Sequence, residues 1–318
     1  MKRDELHRSF LMTLERKIPE KAKLIKTLSD TLFMEKGAIY RRLRGEVPFS
    51  FYEAVRIAET LNISINNLIY PDTFDIGRFE LIIAEYTKMN QKVWDDYMSL
   101  IITAKDDPKS EFTESSNILP VSIFTGFDSL TRFFIFKYKY LFSGMEGRIS
   151  FDNLDIPENK LQILKSYYYE TKHFANTVHV WDYLIFTYLV TDIKFFYNVN
   201  LISRDDISLI QKDLLALLDY IEETAINGYF EETGKPVSFY ISDINFDANY
   251  CCNQFNDVYI SHVKSFILNT VQSLDRSSYL KMYEWIHSLK KSSTLISKSG
   301  AVFRMDYFEK QRKIISEL

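Results

Sequence analysis

The sequence has little of what builds secreted domains, phosphate-binding loops or membrane spans. Its two cysteines, Cys251 and Cys252, are adjacent, and neighbouring cysteines rarely bond to each other, so a disulfide framework is excluded. Nine glycines are scattered singly, which excludes a glycine-rich phosphate loop. The most hydrophobic run, Tyr183–Thr191, is too short to span a bilayer, and no apolar signal region follows Met1. We therefore expect a cytoplasmic protein with no membrane segment.

Residues that catalyse reactions or bind metals are also scarce. A metalloprotease helix requires two histidines four residues apart with a glutamate beside the first, and no histidine here has such a partner. No second cysteine pair is present to complete a zinc site. Acid pairs such as Asp205-Asp206 are typical of helix starts. The sequence thus predicts no catalytic residue, no metal and no cofactor, and we do not expect an enzyme. The histidines are His7, His173, His179, His262 and His287.

What the chain does contain is apolar and unevenly charged. It is 46% hydrophobic and 26% charged, which suits a folded protein of two domains. Residues 1–70 carry 13 Lys and Arg against nine Asp and Glu, a balance of +4, while the other 26 basic and 34 acidic residues give −8. This asymmetry indicates a nucleic-acid-binding domain on an acidic one. The 25 Phe and 21 Tyr fit a core or a subunit interface better than a ligand pocket.

One segment, Leu24–Ile69, has the pattern of two short helices joined by a tight turn and followed by a further helical segment. Four basic residues and no acid occur within Lys36–Arg44, and Gly45 then ends that helix in the position that favours a left-handed residue. Pro48 and Ser50 open the next helix. A short basic helix that follows another short helix and a turn is the layout of a helix-turn-helix.

This segment resembles the Cro/C1-type helix-turn-helix family, also called the xenobiotic-response-element family. Leu28 and Leu32 match the core leucines of its first motif helix, and Ile39 matches the buried aliphatic residue of its recognition helix. Arg41 and Arg44-Gly45-Glu46 match the close "R-x-x-R-G-[KE]". Ala58, Leu61 and the run from Asn62 to Ile69 match its final helices. The family usually has alanine at Ser29, glycine at Phe33 and Ser or Thr at Glu35. The resemblance covers about 65 of 318 residues.

The resemblance implies roles for six residues of helix 36–44. Lys36 and Arg41 would face base edges, because their charged groups suit guanine O6 and N7. Gly37 would permit close approach of the DNA, and Tyr40 would touch a thymine methyl or a phosphate. Arg42 and Arg44 would hold phosphates. The predicted DNA-binding residues are therefore Lys36, Gly37, Tyr40, Arg41, Arg42 and Arg44.

The predicted fold is mainly α. A five-helix Cro/C1-type DNA-binding domain, residues 1–70, precedes a larger helical domain, residues 71–318, which has one small β-hairpin near residues 237–255 and serves dimerisation. Long helices are predicted over Ile76–Ala104 and Val302–Glu317, and these are the candidate dimer surfaces. Residues 70–75, which include Pro71, form the predicted hinge.

These patterns predict a sequence-specific transcriptional regulator that reads the major groove of double-stranded DNA, as a homodimer. The alternative is a non-enzymatic adaptor or antitoxin-like protein whose helical domain binds a protein partner. The sequence leaves open whether a small-molecule or peptide effector exists. The operator, the direction of regulation and the regulated genes are also left open.

Overall fold

The computed structural model of the protein describes residues 3–61, 63, 79–82, 91–142, 149–246, 249–264 and 270–318. The chain divides into two compact units, Met1–Ile76, which we call the head, and Gly77–Leu318, which we call the body. Each unit has its own hydrophobic core. The predicted hinge over residues 70–75 and the predicted helix over residues 65–69 lie outside the described residues.

The described part of the head contains four helices, α1 (Arg3–Lys17), α2 (Lys21–Leu32), α3 (Lys36–Leu43) and α4 (Phe51–Leu61). Each end lies within one residue of the helices that the apolar spacing predicts, over residues 4–17, 20–32, 36–44 and 51–61. Apolar residues recur every three or four positions, so each helix turns one stripe inward. The buried centre consists of Phe10, Leu14, Leu24, Ile25, Leu28, Ile39 and Ile57.

In the described residues of the body, eight strands form one sheet: β1 (Glu80–Ile82), β2 (Glu111–Ser116), β3 (Asn176–Asp182), β4 (Val237–Ser242), β5 (Asn249–Phe255), β6 (Val258–Lys264), β7 (Thr270–Ser273) and β8 (Ser293–Leu295). Their spatial order is β1-β7-β6-β5-β2-β3-β4-β8. Strands β2, β3 and β4 are parallel, and antiparallel strands flank them on both sides. Since parallel neighbours need crossover connections, helices follow β2 and β3.

The described helices of the body are α5 (Gln91–Thr103), α6 (Val121–Phe124), α7 (Asp128–Phe142), α8 (Glu158–Glu170), α9 (Ile185–Asn198), α10 (Arg204–Asn227), α11 (Arg276–Leu289) and α12 (Ala301–Ser316). One face of the sheet, with Val180 and Cys252, packs on α11. The opposite face, with Trp181 and Phe239, joins the largest core, to which α7, α9, α10 and α12 contribute. No helix in the described part of the chain is both long enough and apolar enough to cross a membrane.

The prediction of a mainly α fold with a helical body is wrong, because a mixed sheet forms the centre of the body. Strand β2 has the polar sequence Glu-Phe-Thr-Glu-Ser-Ser, which predicts a loop, yet Phe112–Ser116 are buried. Strand β3 belongs to the apolar stretch 178–198, which predicts a single helix. Its residues Thr177–Asp182 are buried on both faces of the sheet, so the polar alternation that marks a strand is absent.

Two further segments depart from the helical prediction. The predicted helix Ile76–Ala104 contains β1 as well as α5, so it is not one long helix. The apolar spacing after Asp257 also predicts a helix, but the described residues there form β6 and β7. Strand β6 is short, so the spacing of its apolar residues fits both the helical period of 3.6 and the strand period of two. Pairing with β5 and β7 makes it a strand.

The predicted hairpin near residues 237–255 is also incorrect in its pairing. Both segments are strands, but β4 lies between β3 and β8, whereas β5 lies between β2 and β6. The hairpin is formed by β5 and β6, which pair from Asn249↔Lys264 to Phe255↔Val258. Its two turn residues, Asn256 and Asp257, have φ values of 47° and 61°. Two successive positive φ angles match a type I′ turn, whose twist suits a two-residue hairpin.

Candidate nucleic-acid interface

The turn between α2 and α3 is short and is fixed by two backbone hydrogen bonds. Phe33 ends α2 in the left-handed region, with φ 53° and ψ 43°, and its amide donates to the carbonyl of Ser29. The amide of Met34 donates to the same carbonyl at 3.1 Å. Three residues therefore reverse the chain between the helices, a length typical of the helix-turn-helix motif. The left-handed conformation lies at the position where the Cro/C1-type family usually has glycine.

Five of the six predicted DNA-binding residues lie on one exposed face of α3 and its C-terminal cap. They span an arc of about 140°, at 100° per residue, while Ile39 points the opposite way into the head core. A Cβ added to Gly37 would meet nothing within 4 Å, so the head itself does not require glycine there. We call these exposed residues the α3 stripe: Lys36, Gly37, Tyr40, Arg41 and Arg44.

Arg42 is placed differently, because its guanidinium is bound inside the head. Its Nε donates to Glu53 Oε2 at 3.2 Å, and a terminal nitrogen donates to Glu53 Oε1 at 2.8 Å. The two side chains are only 17% and 10% exposed. This bidentate pair joins α3 to the first turn of α4, so the structure does not bring Arg42 together with the α3 stripe.

Glu53 also closes the N-terminus of α4. Its Oε2 accepts from the amide of Ser50 at 2.7 Å, and Ser50 Oγ accepts from the amide of Glu53 at 3.2 Å. This reciprocal pair is a capping box. Burial of the Glu53 carboxyl would raise its pKa, but hydrogen bonds from Arg42 and Ser50 and the Arg42 charge outweigh burial and hold the pKa below its ordinary value.

The end of α3 is fixed by a Schellman motif. The amide of Glu46 donates to the carbonyl of Arg41 at 3.0 Å, and the amide of Gly45 donates to that of Arg42 at 2.9 Å. Gly45 adopts φ 75°, where a side chain is strained even though the surrounding space is open. The motif folds the chain back over the last turn of α3. Glu46 therefore lies beside Arg41 and Arg44.

Glu46 contacts both of those arginines through its side chain. Its Oε1 lies 3.0 Å from Nε of Arg44, and its Oε2 lies 3.7 Å from Nε of Arg41. The arginine side chains are 62% and 63% exposed, so both guanidinium groups reach solvent. Neither this contact nor the bond between Arg42 and Glu53 was predicted from the sequence. The pattern Ser50-x-x-Glu53 is a readable signal for the capping box of α4 but not for the bond between Glu53 and Arg42.

A second group of ionisable residues forms a row across the sheet of the body. Glu114 of β2 is in register with His179 of β3 and Cys251 of β5, and Cys251 is in register with His262 of β6. Glu114 accepts a hydrogen bond from Ser122 at 3.2 Å, and its other oxygen lies 4.0 Å from His179 Nδ1. None of the four is more than 7% exposed. Because all four are buried, we assign the row to the interior of the fold.

Comparison of the chain with protein-family models, with curated proteins and with solved structures finds no match.

Proposed function

We propose that this protein is a sequence-specific DNA-binding regulator of transcription that reads the major groove with α3. The observation that carries the proposal is the α3 stripe, in which three cationic side chains and a tyrosine share one exposed face beside a glycine. A recognition helix needs such a face because base edges and phosphates both lie within reach of a helix that enters the groove.

Position within the stripe suggests the role of each residue. Arg41 lies in the last turn of α3 and is suited to a bidentate contact with a guanine edge, a contact worth about 1–3 kcal/mol of discrimination. Arg44 caps the helix and is suited to a phosphate. Gly37 leaves open space that the sugar–phosphate backbone or a base can enter. Arg42 supports the reading helix through Glu53 rather than through DNA.

We further propose that the regulator acts as a homodimer. One head offers few base-reading side chains, and at about 1–3 kcal/mol each they do not separate one operator from a genome of competing sites. Two heads related by a two-fold axis would read half-sites about 34–36 Å apart. Helix α12 exposes the apolar side chains of Val302 and Met305, which suits it to a protein interface. Light scattering of the full-length protein at micromolar concentration tests this, and a monomer mass both free and on DNA would contradict it.

The DNA proposal is tested with a site enriched from a random duplex pool by the full-length protein. Arg41→Ala is expected to weaken binding to that site by about 1–3 kcal/mol and to relax preference at one base pair. Arg44→Ala is expected to weaken binding to all duplexes and to reduce the salt slope by about one. Arg56→Ala is the matched control, since Arg56 is an exposed arginine of α4 outside the stripe.

Retention of full affinity and selectivity by Arg41→Ala would remove the proposed reading role of α3. If the pool yields no enriched duplex at all, the adaptor alternative, in which the body binds a protein partner, would account better for the chain.

A further inference from the structure

The carboxylate of Glu46 contacts both arginines of the α3 stripe. It lies 3.0 Å from Arg44 Nε and 3.7 Å from Arg41 Nε, and a second Arg44 nitrogen donates to it at 3.5 Å. The Schellman motif holds the backbone of Glu46 against the carbonyl of Arg41, so this placement follows from the helix end and not from the side chain alone. Any duplex that binds the stripe must therefore replace or outcompete this carboxylate.

We propose that Glu46 determines specificity by competing with DNA for Arg41 and Arg44; this inference rests on the proposed function. Every duplex offers phosphates, which carry the same sign of charge as Glu46 and are repelled by it. A phosphate contact alone exchanges one anionic partner of Arg44 for another. Only a site that also gives Arg41 a base-edge contact adds an interaction that the carboxylate does not already provide. Repulsion of this kind raises selectivity because it weakens wrong partners more than the right one.

The exposure of the three side chains limits the size of the effect. Glu46 is 45% exposed and both arginines more than 60%, so solvent and salt screen the pairs. Exposed ion pairs contribute little individually, and we expect removal of the Glu46 charge to tighten binding to a non-cognate duplex roughly 3–10-fold at low salt. We expect a smaller gain on the enriched site, where the base contact already favours release of Arg41.

The experiment compares the full-length parent, Glu46→Gln and Glu59→Gln by fluorescence anisotropy. Two labelled duplexes are used, namely the enriched site and a duplex of equal length and scrambled sequence. Glu59 provides the matched control, because it is an exposed glutamate of α4 that pairs with Arg56 at 3.7 Å. Its replacement makes the same change in net charge away from the stripe. Far-UV circular dichroism verifies that each variant is folded.

We expect Glu46→Gln to bind the scrambled duplex severalfold more tightly than the parent does. The ratio of its affinity for the enriched site to its affinity for the scrambled duplex should fall. Both changes should be larger than those caused by Glu59→Gln. If Glu46→Gln binds both duplexes with the affinities of the parent, or with those of Glu59→Gln, the role of Glu46 is overturned and the proposed function still stands. An equal gain on both duplexes would also overturn that role, since selectivity would be unchanged. If the parent binds neither duplex, the proposed function fails, and this inference fails with it.

Discussion

Removal of the Glu53 carboxylate is expected to destabilise the head strongly. The carboxylate accepts three hydrogen bonds, two from Arg42 and one from the amide of Ser50. Deleting one member of a buried pair costs about 3–5 kcal/mol, because the remaining charge loses its partner. The pair here keeps 17% and 10% side-chain exposure, so water recovers part of that loss. We therefore expect Glu53→Gln to lower the free energy of unfolding of the head by about 2–4 kcal/mol.

Replacement of both partners is expected to be much milder. Arg42→Met together with Glu53→Leu leaves no unpaired charge, and apolar side chains of similar volume often replace a buried ion pair with little loss. The double variant should therefore recover at least half of the destabilisation caused by Glu53→Gln. A coupling energy of about 1–3 kcal/mol is expected from the double-mutant cycle with Arg42→Met and Glu53→Leu.

The assay must resolve the head from the body. All three tryptophans, Trp94, Trp181 and Trp285, belong to the body, so tryptophan fluorescence should report no change in any variant and serves as the internal control. Peptide-resolved hydrogen exchange over α3 and α4 measures the opening of the head. Unchanged exchange in Glu53→Gln, or a double variant as unstable as the sum of its single changes, would refute the reasoning.

Three other predictions concern the head. The pKa of Glu53 is lowered on folding, so the stability that its carboxylate contributes is present above the unfolded pKa of about 4.5 and is lost as the pH falls through the folded pKa. An acid titration by circular dichroism should show this loss, and Glu53→Gln should make the stability of the head less dependent on pH. Phe33→Gly removes a side chain from a left-handed residue and should stabilise the head by about 1 kcal/mol, whereas Gly45→Ala should destabilise it by a similar amount. Hydrogen exchange over α2 and α3 measures both changes, and destabilisation by Phe33→Gly or stabilisation by Gly45→Ala would contradict this. Gly37→Ala should raise head stability by up to about 1 kcal/mol yet weaken DNA binding; unchanged affinity for the enriched site would show that DNA does not approach Gly37.

The helices of the head could be predicted because local signals agree there. The helix boundaries are marked by Gly45, which follows α3, and by Ser50, which precedes α4. Periodic leucines mark the buried faces of the helices between such boundaries. The residues of the α3 stripe were expected from the resemblance to the Cro/C1-type family, and their spacing places them on one helix face. The bond between Arg42 and Glu53 did not follow from spacing, because it joins two helices across a loop.

The sheet of the body could not be read from the sequence because its signals are not local. Strand β2 contains two glutamates and two serines, and its burial depends on β3 and β5, which come later in the chain. Strand β3 has no polar alternation, since helices cover both faces of the sheet. The type I′ turn at Asn256-Asp257 was a local signal for the β5–β6 hairpin, but strand pairing elsewhere is set by the order of the whole sheet.

The measurement that tests the central claim most directly is selection of binding sites from a random duplex pool by the full-length protein, with Arg41→Ala carried through in parallel. If the α3 stripe reads DNA, the parent enriches one motif with two half-sites about one helical turn apart. The variant then loses preference at one position of each half-site. Enrichment of no motif by the parent, or of an identical motif by Arg41→Ala, would contradict the claim.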